Sequence, residues 1–278
     1  MTRLYIPSTG RSDRQPTLEN LPQEWVDKTA LVVSEKEKAA YAAMYPMIDI
    51  ITHPNLDGIG RIRHYICEMI RDEYILMLDD DMVFYVRRKG KLFSTSRLEV
   101  GACLDMLVGW LDAEPDIGET SISLSLVNFR KEADVYYNEK CGPVMCIRKA
   151  AYDSLKYKFN ALPKLHEDNA VTLGLLTAGY RVKVSYEFAF KNLPPLPEHR
   201  KTGCSGYRTQ AMEKQACIDL KKMFDPYVQI HESKKPTTTV KKPNLYTLYD
   251  RPVRPIIRWK RAYENSSKLQ IHGLGRKK

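Results

Sequence analysis

Residues 74–86 read YILMLDDDMVFYV, and this stretch decides the fold. Tyr74 to Leu78 is a short apolar run typical of a buried strand, and an apolar run also follows the acidic residues. Asp79, Asp80 and Asp81 therefore interrupt a buried segment at a strand's carboxyl end. Adjacent carboxylates repel and raise one another's pKa, and a divalent cation removes that cost. Such hard oxygen ligands suit Mg²⁺ or Mn²⁺ bridging to phosphates, whereas the alternative is an acidic turn open to water.

Short apolar runs bounded by turn residues also precede this stretch. Apolar residues at helical spacing from Ile59 to Ile70 separate them from Tyr74. Strands that alternate with helices predict an α/β sheet that is mostly parallel. The predicted strands before Tyr74 are Arg3–Pro7, Ala30–Ser34 and Met47–Thr52.

The pattern continues after the acidic triplet with helical and extended segments in alternation. Alternating Ser and apolar residues in SISLSLV favour a strand. The predicted strands here are Ser121–Val127, Val144–Arg148 and Tyr180–Phe190. The predicted helices are Leu98–Leu111, one near Lys149–Tyr157, Glu167–Ala178 and Gln210–Phe224.

Charge divides the chain into a neutral body and a basic tail. Of 44 basic and 34 acidic residues, 13 and 3 lie from His231 to Lys278, so the rest carries 31 of each. We therefore predict a domain over residues 1–230 and a basic, aromatic-containing extension over residues 231–278. The Lys-, Pro- and Thr-rich KKPTTTVKKP that opens the extension predicts a linker or an extended arm. A basic tail indicates an anionic macromolecule as partner.

Cysteine spacing and hydropathy exclude several classes. None of the six cysteines forms a Cys-x-x-Cys pair, so buried, reduced thiols are expected. No apolar run approaches the roughly 20 residues that span a bilayer. The N-terminus has no secretory pattern. The expected location is the cytoplasm, and no feature indicates an obligate protein partner.

A second acidic pair, Glu167 and Asp168, opens the predicted helix of HEDNAVTLGLLTAGYRV. Acidic residues at a helix N-terminus complement the helix dipole, which is the plain interpretation. A third segment, the polar turn Ser8-Thr9-Gly10-Arg11 after Pro7, is suited to contact phosphate or a nucleotide. These two segments and the acidic triplet are the candidate functional elements of the body.

The order of these segments resembles that of GT-A glycosyltransferases. YILMLDDDM looks like the strand and Asp-x-Asp motif of that family, GIGRIRHYI like the helix start before it, and HEDNAVTLGLLTAGYRV like its second acidic motif. The resemblance implies an α/β, GT-A-like (Rossmann-like) fold: a mixed, mostly parallel sheet flanked by helices, with the basic C-terminal extension. It also implies transfer of a sugar from a UDP-sugar to a hydroxyl, with Mn²⁺ or Mg²⁺ as cofactor.

The same resemblance assigns roles residue by residue. Asp81 would bind the metal, with His199 as a further ligand. Asp168 would be the base of an inverting enzyme, and Glu167 would contact the acceptor or donor sugar; retention stays open. The implied donor and nucleotide contacts are Pro7, Ser8, Thr9, Gly10, Arg11, Arg63, Asp79, Asp80, Arg200 and Lys201.

The basic extension bears on the acceptor. Basic residues pair with backbone phosphates and interleaved aromatics stack on bases, so DNA is the expected partner. The candidate contacts are Arg254, Arg258, Trp259, Lys260 and Arg261. The opening LYIPSTGRSDRQPTLENLP and the motif order also resemble phage DNA glycosyltransferases associated with TET-like oxidases. That likeness implies a hydroxymethylated, or already glycosylated, pyrimidine that leaves the duplex stack.

Other functions stay open at this point. One is a glycan- or lipid-directed glycosyltransferase, and another is a nucleotidyltransferase, for which STGRSDRQ is only a partial match. A third is a DNA-binding protein without enzymatic activity, which would not need two acidic clusters. A Lys-rich tail also serves solubility or binds anionic membrane surfaces.

Overall fold

The fold is known from a computed structural model, which describes residues 2–194, 209–232 and 253–274. Its strands are β1 Leu4–Pro7, β2 Thr29–Ser34, β3 Asp49–His53, β4 Tyr74–Met77, β5 Met82–Arg88, β6 Lys91–Ser94, β7 Ile117–Leu124, β8 Val135–Tyr137, β9 Met145–Arg148, β10 Arg181–Asn192, β11 Val228–Glu232 and β12 Val253–Ile257.

The helices alternate with these strands along the chain. They are α1 Pro16–Glu19, α2 Gln23–Val26, α3 Lys38–Met44, α4 Ile59–Met69, α5 Arg97–Ala113, α6 Ser125–Asn128, α7 Lys149–Asp153, α8 Glu167–Thr177, α9 Gln210–Phe224 and α10 Trp259–Leu274, with 3₁₀ turns at Glu35–Glu37 and Phe159–Ala161.

One 10-stranded sheet forms the centre of the protein, in the order β3-β2-β1-β4-β9-β7-β10-β5-β6, with β8 paired to β10. The neighbours β3–β2, β2–β1, β1–β4 and β7–β10 are parallel. β9 and β5 run antiparallel to their partners. The predicted mixed, mostly parallel sheet flanked by helices is confirmed.

Both faces of the sheet are covered by helices, as the near-continuous apolar strands require. Leu4 and Ile6 of β1 pack into one buried cluster, which also holds Leu104 and Leu107 of α5. Tyr5, between them, points into the other cluster, with α4 and α8. Parallel strands covered on both faces leave their carboxyl ends as the open edge, and ligands bind at such edges.

The predicted strand Ser121–Val127 is wrong at its end. β7 begins at Ile117 and stops at Leu124, and Ser125–Asn128 forms a helical turn. The side chain of Asn128 explains the break, because Nδ2 donates to Ser123 Oγ and to the Tyr186 carbonyl, each at 2.7 Å. These bonds fold the chain back over the end of β7.

The last described segments return to the body. β12 pairs antiparallel with β11, and α10 packs against α8 through the fully buried Ala262 and a hydrogen bond from Ser266 Oγ to the Leu176 carbonyl at 2.9 Å. The KKPTTTVKKP segment lies outside the described residues, and the domain boundary at residue 230 stays a prediction. No described helix has the length and apolar character needed to cross a membrane.

Candidate active site

A cleft of about 400 Å³ opens where β1 and β4 end and where α4 and α8 begin. The acidic triplet forms its floor, and the second acidic pair forms one wall. The described residues that line it are Pro7, Ser8, Thr9, Arg11, Leu56, Asp57, Gly58, Ile59, Ile62, Arg63, Asp79, Asp80, Asp81, Lys140, Pro143, His166, Glu167, Asp168 and Asn169.

Thr17 of α1 fixes the backbone of the acidic triplet. Its Oγ1 donates to the Asp79 carbonyl at 2.6 Å and accepts from the Met82 N–H at 2.9 Å. Its own N–H donates to the Asp80 carbonyl at 3.2 Å. Because the turn between β4 and β5 is held at both ends, its carboxylates have defined directions.

Asp80 is the most buried member of the triplet and is 6% exposed. It accepts hydrogen bonds from Ser8 Oγ and from Arg11 Nη1, the latter at 2.5 Å. Tyr41 and Gln15 complete a buried polar cluster around Ser8. Burial raises the pKa of Asp80 to about 7, against the opposing effect of Arg11.

Asp81 and Asp79 are the more exposed members, with side chains 20% and 27% accessible. Arg11 Nη1 lies 2.8 Å from Asp81 Oδ2, and Asn192 Nδ2 donates to Asp81 Oδ1 at 2.6 Å. Asn192 also approaches Asp79 Oδ2 at 3.4 Å. Asn192 was not predicted as a site residue, although it ends β10, which runs parallel to β7, two residues beyond the strand end predicted from the sequence.

Arg63 joins the two acidic segments. Its guanidinium is 3% exposed and donates to Asp79 Oδ1 and to Glu167 Oε1, each at 2.7 Å. Gly58, at φ +89°, starts α4 and turns Arg63 toward the sheet edge. Two carboxylates 88 residues apart in sequence therefore share one buried cation.

The second pair begins α8 after His166, whose backbone is left-handed at φ 68°. This conformation turns the chain so that Glu167 faces Arg63 while Asp168 borders the cleft. Burial raises the pKa of Glu167 to about 7, against the opposing effect of Arg63. The raised pKa weakens its negative charge near neutral pH.

Asp168 has the opposite titration. Burial opposes its ionisation, but Lys140, His166 and the Asn169 N–H together hold its pKa below the ordinary value. The Asn169 N–H lies 2.7 Å from Asp168 Oδ1, and Lys140 Nζ lies 4.0 Å from Oδ2. An ionised carboxylate at the cleft wall can accept a proton from a bound hydroxyl. Lys140 carried no signal in the sequence, because it lies in an irregular loop.

The charges of the cleft fit a divalent cation. Its described lining holds six carboxylates and three cationic side chains, Arg11, Arg63 and Lys140. A diphosphate adds further negative charge, so its binding beside Asp81 requires a counter-ion. The carboxylate oxygens of Asp79 and Asp81 are hard ligands that suit Mg²⁺ or Mn²⁺.

The structure brings together most residues predicted for the site. Gly10 is an exception: it does not line the cleft, has φ 66° and donates its N–H to Glu37 Oε1 at 2.5 Å. His199, Arg200 and Lys201 lie outside the described residues. The predicted nucleic-acid contacts Arg254, Arg258, Trp259, Lys260 and Arg261 lie on β12 and at the start of α10, and none of them lines the cleft.

Comparison with known proteins identifies a matching family. The model of the TET-associated glycosyltransferase family matches residues 2–192. None of the curated proteins matches the chain in sequence.

Solved structures share the fold at low identity. A mannosyltransferase from Pyrobaculum calidifontis, in complex with GDP-Man and Mn²⁺, is 13% identical with a TM-score of 0.50, over 80% of this chain and 63% of that one. Glucosyl-3-phosphoglycerate synthase from Mycobacterium tuberculosis, with Mn²⁺, UDP and glucosyl-3-phosphoglycerate, is 10% identical with a TM-score of 0.50, over 82% and 83%. This chain thus spans less than two thirds of the mannosyltransferase.

Proposed function

Because this chain belongs to the TET-associated glycosyltransferase family and is a glycosyltransferase, we propose that it moves a sugar from a UDP-sugar to a hydroxymethylated, or already glycosylated, pyrimidine in DNA. The observation that carries the proposal is the pair of ion pairs made by Arg63. They hold the acidic triplet and the second acidic pair on one cleft. Donor and acceptor must meet in such a place.

The donor would lie over the acidic triplet. Asp81, with Asp79 beside it, would hold Mn²⁺ or Mg²⁺, which supplies neutralisation of charge on the departing diphosphate. Arg11 lies 2.5 Å from Asp80 and 2.8 Å from Asp81. A nucleotide that binds here competes with these carboxylates for the guanidinium, so Arg11 can turn toward phosphate. Ser8 and Thr9 line the same end of the cleft.

The acceptor hydroxyl would lie against Asp168. Its proton moves to Asp168 Oδ2 while the oxygen bonds to the sugar carbon and the bond to the diphosphate breaks, which releases UDP. Lys140, 4.0 Å from this oxygen, stabilises the ionised carboxylate before transfer. Glu167, held by Arg63, lines the same cleft and is suited to contact a sugar hydroxyl.

DNA as acceptor rests on family membership and on charge. Residues 231–278 carry 13 basic and 3 acidic residues, whereas the rest of the chain is neutral. Of the predicted contacts, Arg258, Lys260 and Arg261 are exposed, whereas Trp259 is partly buried against the core. Exposed cations near the start of α10 favour binding to phosphates.

The test is UDP release with defined DNA acceptors. Duplexes that contain 5-hydroxymethylcytosine or 5-hydroxymethyluracil are compared with unmodified duplexes, each with and without Mn²⁺. We expect UDP release and a mass increase of the DNA only with hydroxymethylated bases and metal. Asp168→Asn is the matched control. Release that is equally fast with a glycan or lipid acceptor and absent with every DNA would overturn the DNA assignment.

A further inference from the structure

A second group of ligand atoms lies behind the wall of the cleft, where α8 and α9 meet. His166, Glu213 and Cys217 are all buried, and one ligand atom of each lies within 4.8 Å of the others. Glu213 and Cys217 are four residues apart on α9, so they project from the same face of that helix. The side chain of His166, the left-handed residue before α8, reaches both of them.

The distances approach those of a tetrahedral zinc site. Zinc bonds of about 2.1 Å to nitrogen and 2.3 Å to sulfur separate the two ligands by about 3.6 Å. His166 Nε2 lies 3.8 Å from Cys217 Sγ and 2.8 Å from Glu213 Oε1. The nitrogen–oxygen pair would open to about 3.4 Å once the ion replaces the proton between them. A Glu side chain allows this movement through its rotatable bonds.

Asn169 supplies the outer contact that a zinc-bound histidine needs. It is 3% exposed, and its side-chain amide lies 3.1 Å from His166 Nδ1. Its Oδ1 is buried and accepts no hydrogen bond from any residue that the structure describes. A half-turn of this amide lets Oδ1 accept from Nδ1–H, which leaves the lone pair of Nε2 for a cation. Ligating histidines almost always donate their other N–H in this way.

We propose that His166 Nε2, Glu213 Oε1 and Cys217 Sγ bind a Zn²⁺ ion that ties α9 to the first turn of α8. Imidazole, carboxylate and thiolate together are a zinc-type ligand set, softer than the oxygen ligands of Asp79 and Asp81. On binding, the Cys217 thiol releases its proton to solvent, and the imidazole proton of His166 moves from Nε2 to Nδ1, where Asn169 Oδ1 accepts it. The ion would fix the left-handed turn that directs Glu167 and Asp168, and it would not touch substrate.

Cobalt substitution tests the ligand set on the full-length protein. The protein is stripped with a chelator and titrated with Co²⁺, and the thiolate-to-cobalt charge-transfer band is recorded. Wild type is expected to give the band at one equivalent, and one equivalent of Zn²⁺ should abolish it. Cys217→Ser should lose the band, whereas Asp81→Asn, which changes the other metal site, should keep it. Asn169→Ala should keep the band but bind zinc about 10–100-fold more weakly.

Two results would overturn the proposal. One is a folded wild-type protein that shows no charge-transfer band and retains no zinc after gel filtration. The other is a band that persists in folded Cys217→Ser, which would assign it to another thiol. Glu213→Gln is the second variant if Cys217→Ser does not fold, since it keeps the helix and the thiol. It should lower zinc affinity, and unchanged affinity would remove Glu213 from the site.

Discussion

The two acidic segments of the cleft come from different elements, but each places one carboxylate in a buried position and the next in a more open one. In the triplet, Asp80 is buried against Ser8 and Arg11, while Asp81 is more open to the cleft. At the start of α8, Glu167 is turned toward Arg63 while Asp168 borders the cleft. In each pair of consecutive residues, the first carboxylate is buried and hydrogen-bonded, whereas the second is partly exposed.

The pKa values separate the two residues that open α8. Burial raises the pKa of Asp80 and of Glu167 to about 7, whereas that of Asp168 is held below its ordinary value. The two buried carboxylates, Asp80 and Glu167, therefore hold the site together. The more open ones, Asp81 and Asp168, are suited to exchange ligands or protons. Adjacent acidic residues are thus not interchangeable, and substitutions should separate them.

The largest expected effect comes from removing the cation that both segments share. In Arg63→Ala, Asp79 and Glu167 lose their charged partner within a buried site. Removing one partner of a buried ion pair costs about 3–5 kcal/mol, because the other charge stays uncompensated. We expect a fall of this size in the free energy of unfolding, measured in urea, together with loss of UDP release.

Arg63→Lys is the control for this prediction. It keeps the charge but cannot donate to both carboxylates with the planar fork of a guanidinium. We expect stability between that of wild type and of Arg63→Ala, with activity still impaired. Equal stability of all three proteins would mean that the two segments are held together by other contacts.

Next in size is the difference between the two residues that open α8. Asp168→Asn should lower kcat by about 10²–10⁴-fold, because a positioned base contributes a factor of that size. UDP binding should be unchanged, since the proposed function assigns Asp168 to the acceptor. Glu167→Gln should cause a smaller loss, because the amide oxygen still accepts from Arg63. Comparable losses of kcat in both variants would contradict the proposed division of roles.

In the triplet, the comparison concerns metal rather than protons. Asp81→Asn should raise the Mn²⁺ concentration that gives half-maximal activity by more than the roughly 10–100-fold typical of an outer contact. Asp80→Asn should change it less, because Asp80 is bonded to Ser8 and Arg11 inside the protein. Metal titrations of activity in the two variants give the ratio directly. A larger effect at Asp80 would reverse the assignment.

Glu119 of β7 is a third buried carboxylate with a raised pKa, and it gives a prediction about stability and pH. It is fully buried, accepts a hydrogen bond from Thr172 at 2.8 Å, and burial raises its pKa to about 8. Because this pKa is higher in the folded protein than in the unfolded chain, protonation of Glu119 stabilises the folded state. This stabilisation is full at low pH and is lost as the pH rises through about 8. Glu119→Gln should therefore flatten the fall in unfolding free energy between pH 5 and 8, by on the order of 4 kcal/mol. Parallel curves for the two proteins would contradict this.

Local patterns in the sequence were enough to predict the sheet and both acidic segments. The apolar runs specify strands that must be covered on both faces, and parallel strands bring their carboxyl ends to one edge. The acidic triplet was found because carboxylates crowded at the end of a buried strand are costly without a cation, whereas Asp168 was assigned through the resemblance of HEDNAVTLGLLTAGYRV to a second acidic motif. Their meeting in one cleft follows from the fold.

The partners of these carboxylates could not be predicted in the same way. Asn192 and Lys140 act through positions that depend on strand register and on an irregular loop, which leave no periodic signal. Arg63 was predicted to face the nucleotide, but its second contact, with Glu167, depends on how closely α4 approaches α8. Asn128 likewise ends β7 through hydrogen bonds to Ser123 Oγ and to the distant Tyr186 carbonyl, which the alternation of SISLSLV does not reveal.

The smallest expected effect tests that close approach. A Cβ at Gly60 of α4 would lie 3.2 Å from the Phe159 carbonyl oxygen, so Gly60→Ala must widen this contact by a few tenths of an ångström, whereas 3.7 Å to Glu167 Cβ is ordinary van der Waals contact. The gain in helix propensity, roughly 1 kcal/mol, offsets the crowding, and the unfolding free energy should change by less than about 1 kcal/mol. Activity should nevertheless fall, because relief of the contact with the Phe159 carbonyl oxygen shifts α4, which carries Arg63. Gly109→Ala in α5, where a Cβ meets nothing within 4 Å, is the matched control and should be stabilising with unchanged activity. If both variants keep full activity, the spacing between α4 and α8 does not set the geometry of the Arg63–Glu167 ion pair.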